Sequence, residues 1–228
     1  MSLAPPEAEG PLRRERLRTA RLYFCCEARP HGEDPEPLLA AALHGGVDIV
    51  QLREKSLPQR EIELAAQTFR RLCDNYSALF IVNDDPDLAR ACDADGVHVG
   101  QDDLAASEAR GRLGPDAIIG LSTHSEEQIA VAADAPVDYI SVGPIWETPT
   151  KQGRPAVGLE LISYAGANAP HPFFAIGGID SSNASAVIEA GAQRLCVVRA
   201  IRDAANPVAA TEALRGAFAP LGEEAPGA

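Results

Sequence analysis

The sequence predicts a single-domain α/β protein, a (β/α)8 TIM barrel. Short apolar runs rich in β-branched residues alternate with segments of helical periodicity, eight times along the 228 residues. Several helical segments end in glycine just before the next strand, where left-handed helix ends are common. The connections are short, which keeps successive strands adjacent in a parallel sheet. We expect the barrel to span residues 20–219, between a flexible N-terminal arm (1–19) and a flexible tail (220–228).

The eight predicted strands are nearly continuous apolar runs, as expected for a parallel sheet that is covered by helices. They span residues 22–28, 48–53, 79–84, 96–100, 117–123, 139–146, 172–178 and 194–200. The predicted helices span residues 36–46, 60–73, 85–94, 106–114, 125–135, 159–167, 181–191 and 207–219. A doubly wound sheet is the alternative, but it would need a long reversing crossover and a GxGxxG loop after the first strand, and that loop is missing.

Composition narrows the class of protein. The net charge is −13, which argues against a nucleic-acid surface, since phosphate binding needs a basic face. Apolar runs are too short for a membrane span, and the first residues lack the apolar centre of a secretory signal. The five cysteines show no CxxC spacing and indicate buried, reduced thiols. We expect a cytoplasmic protein, and the sequence leaves room for a homo-oligomer.

In a barrel of this kind the active site lies at the C-terminal ends of the strands. The second strand ends in Gln51, Arg53 and Lys55, which alternate along extended chain and therefore point the same way. Arginine and lysine that converge in this way can bind a polyanion. Salt bridges at the rim of the barrel would explain the same pattern, so this motif alone leaves both interpretations open.

Two carboxylates, Asp84 and Asp103, follow neighbouring strands without nearby histidine or cysteine. This set suits Mg²⁺, which takes one or two carboxylates and completes its shell with water and substrate phosphates. Helix N-capping is the competing interpretation, and it fits Asp85 and Asp102 better than it fits Asp84.

Strands seven and eight carry the pattern of a phosphate site. AIGGID (175–180) offers a glycine turn, with Gly178 allowing close backbone approach, and VVRAI (197–201) leads into a helix N-terminus. A simple turn glycine is the alternative. Residues 143–158 form a long loop without apolar periodicity, typical of a lid, and Lys151 adds a cation there. His98 and His124 are expected to pack or cap rather than to act as acid or base.

Seven motifs, in this order, resemble those of the thiamine phosphate synthase family, and the resemblance covers roughly residues 20–203. They are QLREK (51–55), FIVNDD (80–85), ADGVHVGQDDL (94–104), GLSTH (120–124), GPIWETPTKQGRPAVGLE (143–160), AIGGI (175–179) and VVRAI (197–201). That family joins hydroxymethylpyrimidine diphosphate to a thiazole phosphate and releases pyrophosphate. Because diphosphate is the leaving group, no protein nucleophile is needed.

The resemblance implies a set of site residues. The pyrimidine diphosphate would be bound by Gln51, Arg53, Lys55, Asn83, Ser122 and Lys151. The cofactor Mg²⁺ would be bound by Asp84 and Asp103. The thiazole phosphate would be bound by Thr148, Thr150, Gly178, Val198 and Arg199. Lys151, Arg53 and Ser122 would be the catalytic residues.

This chain departs from the family at two positions: Arg199 replaces a common serine, and Glu147 replaces a proline. Two other functions remain as alternatives. A related barrel, the thiazole tautomerase, isomerises the thiazole phosphate alone, and a degenerate barrel could bind a phosphate ligand without catalysis. Asp84, Asp103 and Lys151 favour the synthase over both, because neither alternative needs them.

Overall fold

Eight parallel strands close into one barrel, in which each strand pairs with the next and the last pairs with the first. The computed structural model describes residues 9–148 and 155–218. The strands are β1 (Leu22–Cys26), β2 (Ile49–Leu52), β3 (Leu79–Asn83), β4 (Gly96–Val99), β5 (Ile118–Thr123), β6 (Tyr139–Val142), β7 (Phe173–Ile176) and β8 (Leu195–Val197). The predicted fold is confirmed, and each strand lies within its predicted apolar run.

The helices surround the barrel. They are α1 (Glu9–Thr19), α2 (Pro35–His44), α3 (Gln59–Tyr76), α4 (Pro86–Ala91), α5 (Ala106–Leu113), α6 (Glu126–Val131), α7 (Gly158–Asn168), α8 (Ala184–Glu189), α9 (Arg199–Arg202) and α10 (Pro207–Gly216). Among the described helices, none combines the length and apolar character needed to cross a bilayer.

The prediction of a flexible arm is wrong for Glu9–Thr19, which form α1. Leu17 is 3% exposed and packs into the interior of the barrel, and Arg13 and Arg14 make ion pairs with Asp95 and Asp138. These partners are distant in sequence, so the polar composition of the segment gave no sign of them. Residues 1–8 and the predicted tail beyond Phe218 lie outside the described residues.

The apolar core has two layers. One lies between the strands and the surrounding helices, and the other fills the barrel interior with side chains such as Ile49, Ile81 and Phe174. Inward-facing positions also include Tyr23 and Tyr139, which are buried and contact Phe174 edge to face.

All five cysteines are free thiols, as predicted. Burial raises the pKa of Cys73 to about 12 and that of Cys92 to about 11, so both stay protonated at neutral pH. Cys25 and Cys196 lie in the barrel interior with their sulfur atoms 3.5 Å apart.

Candidate active site

A cavity of about 300 Å³ opens at the C-terminal ends of the strands. Most of the described candidate residues line it, although they come from six different parts of the chain. They are Gln51, Arg53, Asn83, Ser122, Thr148, Gly178, Val198 and Arg199. The barrel thus brings together most of the residues that the sequence assigned to the two substrates, whereas Lys55, Asp84 and Asp103 do not line the cavity. The role of each in binding stays a prediction.

Gln51 and Ser122 form hydrogen bonds with side chains in the barrel interior. Gln51 is 3% exposed and donates from Nε2 to the Tyr23 hydroxyl at 2.7 Å. Ser122 is 2% exposed, and its Oγ lies 2.9 Å from Nε2 of His98. His98 is therefore the packed barrel histidine that its apolar strand indicated, although its hydrogen bonds reach the cavity wall.

One of the two candidate metal ligands, Asp84, lies beside a cation. Lys55 Nζ is 3.0 Å from Oδ2 of Asp84, and Asp103 accepts a hydrogen bond of 3.0 Å from the backbone N–H of Gly100. Burial raises the pKa of Asp84, the Lys55 ammonium opposes that rise, and the negative charge of Asp103 adds to it. The two carboxylates are thus close enough to interact.

Asp84 also has an unusual backbone. Its φ is 63°, a left-handed conformation that aspartate tolerates better than most residues, and it lies directly after β3. Its neighbour Asp85 has a structural role, because its side chain accepts from the backbone N–H groups of Asp87 and Leu88 at the start of α4. The predicted capping role of Asp85 is confirmed, and the metal-binding role of Asp84 stays a prediction.

The opposite wall of the cavity is formed by the ends of β7 and β8. Gly177 and Gly178 have φ values of 110° and 71°, which other residues rarely adopt, and Gly178 packs closely on Trp146. Arg199 is the first residue of the short helix α9, and it is exposed at the cavity edge. Thr150 and Lys151 lie outside the described residues.

Sequence reasoning missed several residues of the cavity wall. Tyr23, Cys25 and Cys196 face it from β1 and β8, at positions that the sequence analysis assigned to no ligand. His124 also lines it, with Nδ1 against the backbone carbonyl of Gly143, while the cap of α6 is Ser125. The period-two alternation of the strands could have identified the inward-facing positions, but not which of them reach the cavity.

Comparison with known proteins decides the family. A family model described as thiamine monophosphate synthase matches residues 22–201, which is most of the chain and all eight strands. The chain belongs to this family. It is a transferase of thiamine biosynthesis, and the resemblance inferred from the seven motifs is confirmed.

Individual relatives agree. The thiamine-phosphate synthase of Acidothermus cellulolyticus is 50% identical over 196 residues, covering 85% of this chain and 92% of the relative. That of Mycobacterium tuberculosis is 48% identical over 214 residues, covering 89% and 96%. A solved thiamine phosphate pyrophosphorylase from Pyrococcus furiosus superposes with a TM-score of 0.80 at 34% identity, covering 90% of this chain and 96% of the other.

Proposed function

We propose that this chain condenses hydroxymethylpyrimidine diphosphate with thiazole phosphate, giving thiamine phosphate and pyrophosphate in an Mg²⁺-dependent reaction. The observation that carries the proposal is the family match over residues 22–201, combined with a cavity lined by cations and amides. Asp84 directly follows the cavity residue Asn83 and interacts with Asp103. A tautomerase or a non-catalytic sensor would have no use for the carboxylate pair.

The pyrimidine diphosphate is assigned to the side of the cavity formed by β2, β3 and β5. Its proposed ligands are Gln51, Arg53, Lys55, Asn83, Ser122 and, from the undescribed segment, Lys151. Diphosphate oxygens only accept hydrogen bonds, and these side chains supply donors and positive charge. Lys55 forms an ion pair with Asp84 at 3.0 Å, so its ammonium already lies beside a proposed metal ligand.

Asp84 and Asp103 are the proposed Mg²⁺ ligands. The described residues contain no group of three or more metal-ligating side chains, which suits an ion that keeps waters and takes the rest of its shell from substrate. The oxygen-only donor pair fits a hard cation. When bound, the ion would supply a positive charge that stabilises the departing diphosphate.

The thiazole phosphate is assigned to the opposite wall. Its proposed ligands are Thr148, Gly178, Val198 and Arg199 of the described chain, together with Thr150. The left-handed glycine turn brings backbone close to the cavity, and the Arg199 guanidinium can substitute for the hydroxyl that is common in the family.

Catalysis is proposed to rest on electrostatic stabilisation of the leaving group. Arg53, Ser122 and Lys151 would bind the diphosphate more tightly as the C–O bond breaks and negative charge accumulates on it. The electron-rich aminopyrimidine supports the resulting methylene cation, which the thiazole nitrogen attacks. The chain's residues therefore bind, orient and screen charge. We also propose a cytoplasmic location, which the free thiols favour.

The decisive assay supplies both substrates to the purified chain with Mg²⁺ and measures pyrophosphate and thiamine phosphate. We expect equal amounts of the two products, and loss of turnover when the divalent cation is chelated. Isomerisation of the thiazole phosphate without pyrophosphate release would identify a tautomerase. Binding without either product would identify a sensor and overturn the proposal.

A further inference from the structure

A chain of hydrogen bonds crosses the barrel interior and joins two of the proposed substrate ligands. From Gln51 Nε2 it is 2.7 Å to the Tyr23 hydroxyl, and a further 2.9 Å to the Tyr139 hydroxyl. His98 Nδ1 lies 3.0 Å from the Tyr139 hydroxyl, and His98 Nε2 lies 2.9 Å from Ser122 Oγ. None of these five residues is more than 7% exposed, and Tyr23, Gln51, His98 and Ser122 also line the cavity wall.

The backbone of β5 leaves space for this series of hydrogen bonds. A Cβ atom at position 120 on β5 would collide with both the Tyr139 hydroxyl and Nδ1 of His98. Gly120 therefore has to be glycine for these two side chains to meet. The tyrosine–histidine contact is thus built into the barrel at the level of the backbone.

The direction of the protons along the chain follows from counting donors. Within the described residues, the Tyr23 hydroxyl has two partners and accepts from the Gln51 amide, so its own proton points to Tyr139. The Tyr139 hydroxyl, having accepted that proton, donates its own to Nδ1 of His98. Burial raises the pKa of both tyrosines well above the ordinary value, which keeps both hydroxyls protonated.

We propose that Tyr139, supported by Tyr23, is a positioning residue that holds His98 as its Nε2–H tautomer and thereby makes Ser122 a hydrogen-bond donor to the diphosphate. A neutral imidazole whose Nδ1 accepts must carry its proton on Nε2. Ser122 Oγ lies 2.9 Å from Nε2 and Ser141 Oγ lies 3.5 Å from it, so that proton is directed to the nearer hydroxyl, Ser122. The serine oxygen then acts as acceptor inside the barrel, and its own proton faces the cavity.

This polarity matters because the proposed ligand accepts hydrogen bonds but cannot donate them. If the proton sat on Nδ1 instead, Nε2 would accept from Ser122, and the serine would turn its lone pairs towards an anion. That arrangement is repulsive, whereas the Nε2–H arrangement is attractive. The inference therefore rests on the proposed function for its ligand, but the tautomer itself does not depend on it.

The tautomer is read directly, without substrate, by long-range ¹H–¹⁵N correlation spectra of protein labelled with ¹⁵N-histidine. His98→Asn serves only to assign the signal. We expect the Nε2–H pattern in the unmodified chain and in Ser122→Ala, because Tyr139 still donates to Nδ1. In Tyr139→Phe we expect that pattern to give way to a mixture of tautomers. An Nδ1–H or doubly protonated ring in the unmodified chain would overturn the proposal.

The kinetic test asks whether Tyr139 acts through Ser122. We expect Tyr139→Phe to lower kcat/KM for the pyrimidine diphosphate about tenfold, and Ser122→Ala to cost less in that background than in the unmodified chain. Tyr164→Phe, a tyrosine on α7 outside the cavity, is the matched control and should change neither quantity. Strictly additive losses would remove the positioning role even if the tautomer is as assigned.

The two readouts separate this inference from the proposed function. If the protein fails to make thiamine phosphate but His98 is the Nε2–H tautomer, the proposed function is wrong and the tautomer assignment stands. If Tyr139→Phe does not fold, the spectra of the unmodified chain and of Ser122→Ala still decide the tautomer.

Discussion

The two ends of the barrel use the same types of residue in opposite ways. At the N-terminal end, Asp48, Asp95 and Asp138 directly precede β2, β4 and β6. Each accepts a backbone N–H from the preceding strand and is paired with at least one arginine. At the C-terminal end, Asp84 and Asp103 lie close enough to interact, and Asp84 forms an ion pair with Lys55.

The two ends of the barrel differ in how fully the protein itself compensates its buried carboxylates. At the N-terminal end the carboxylates find their partners within the protein. Asp95 accepts a hydrogen bond from the backbone N–H of Phe80 at 2.8 Å, and one from each of the Arg13 and Arg70 side chains at 2.9 Å. At the C-terminal end Asp84 has a raised pKa, because burial and a second carboxylate are only partly balanced by Lys55. A group that the fold leaves under-compensated is one that a ligand can complete.

The largest expected effect is on stability at the N-terminal end. Asp95→Ala removes a carboxylate that is 5% exposed and leaves Arg13 and Arg70 without this buried partner. We therefore expect the free energy of unfolding to fall by about 3–5 kcal/mol. Denaturant titration measures it. Asp87→Ala, which removes an exposed ion-pairing carboxylate on α4, is the control and should cost under about 1 kcal/mol. Equal costs would mean that the buried network contributes no more than a surface pair.

At the C-terminal end the same kind of substitution should spare folding and remove activity. We expect Asp84→Asn and Asp103→Asn each to lower kcat about 100- to 1000-fold, because a ligand to the ion that stabilises the diphosphate is lost. Thermal unfolding should barely change. The neighbouring Asp102→Asn is the control and should keep its rate. Normal turnover of both variants at low Mg²⁺ would show that the carboxylate pair does not bind the metal.

The smallest effect is expected at Arg199, where the chain departs from its family. A charge-assisted contact to the thiazole phosphate is worth about 1.5–3 kcal/mol, so Arg199→Ser should raise the thiazole KM about 10- to 100-fold. The pyrimidine KM should stay nearly constant, and Arg199→Lys should retain much of the affinity. An unchanged thiazole KM would mean that backbone groups alone bind the phosphate.

Much of the candidate site could be predicted because the C-terminal ends of all the strands of a parallel barrel lie at one rim. Gln51, Asn83 and Ser122 were found by reading only the residues that end strands, and all three line the cavity. Tyr23 and Tyr139 were not found, since an inward tyrosine in an apolar strand has the same pattern as any core residue. What distinguishes them is the hydrogen bond between their hydroxyls, which joins residues on opposite sides of the barrel.

By itself the sequence determined the alternation of strands and helices, their order in the barrel, the family and the rim on which the polar residues gather. Local periodicity and short connections suffice for the strands, the helices and the rim, because these depend on neighbours along the chain, whereas the family follows from the resemblance of the seven motifs. Only the tertiary structure decided that Glu9–Thr19 form a helix closing the barrel, that Asp95 is neutralised by Arg13 and Arg70, and how Ser122 is hydrogen-bonded. Each of these depends on partners from distant segments, which the chain brings together only when the barrel closes.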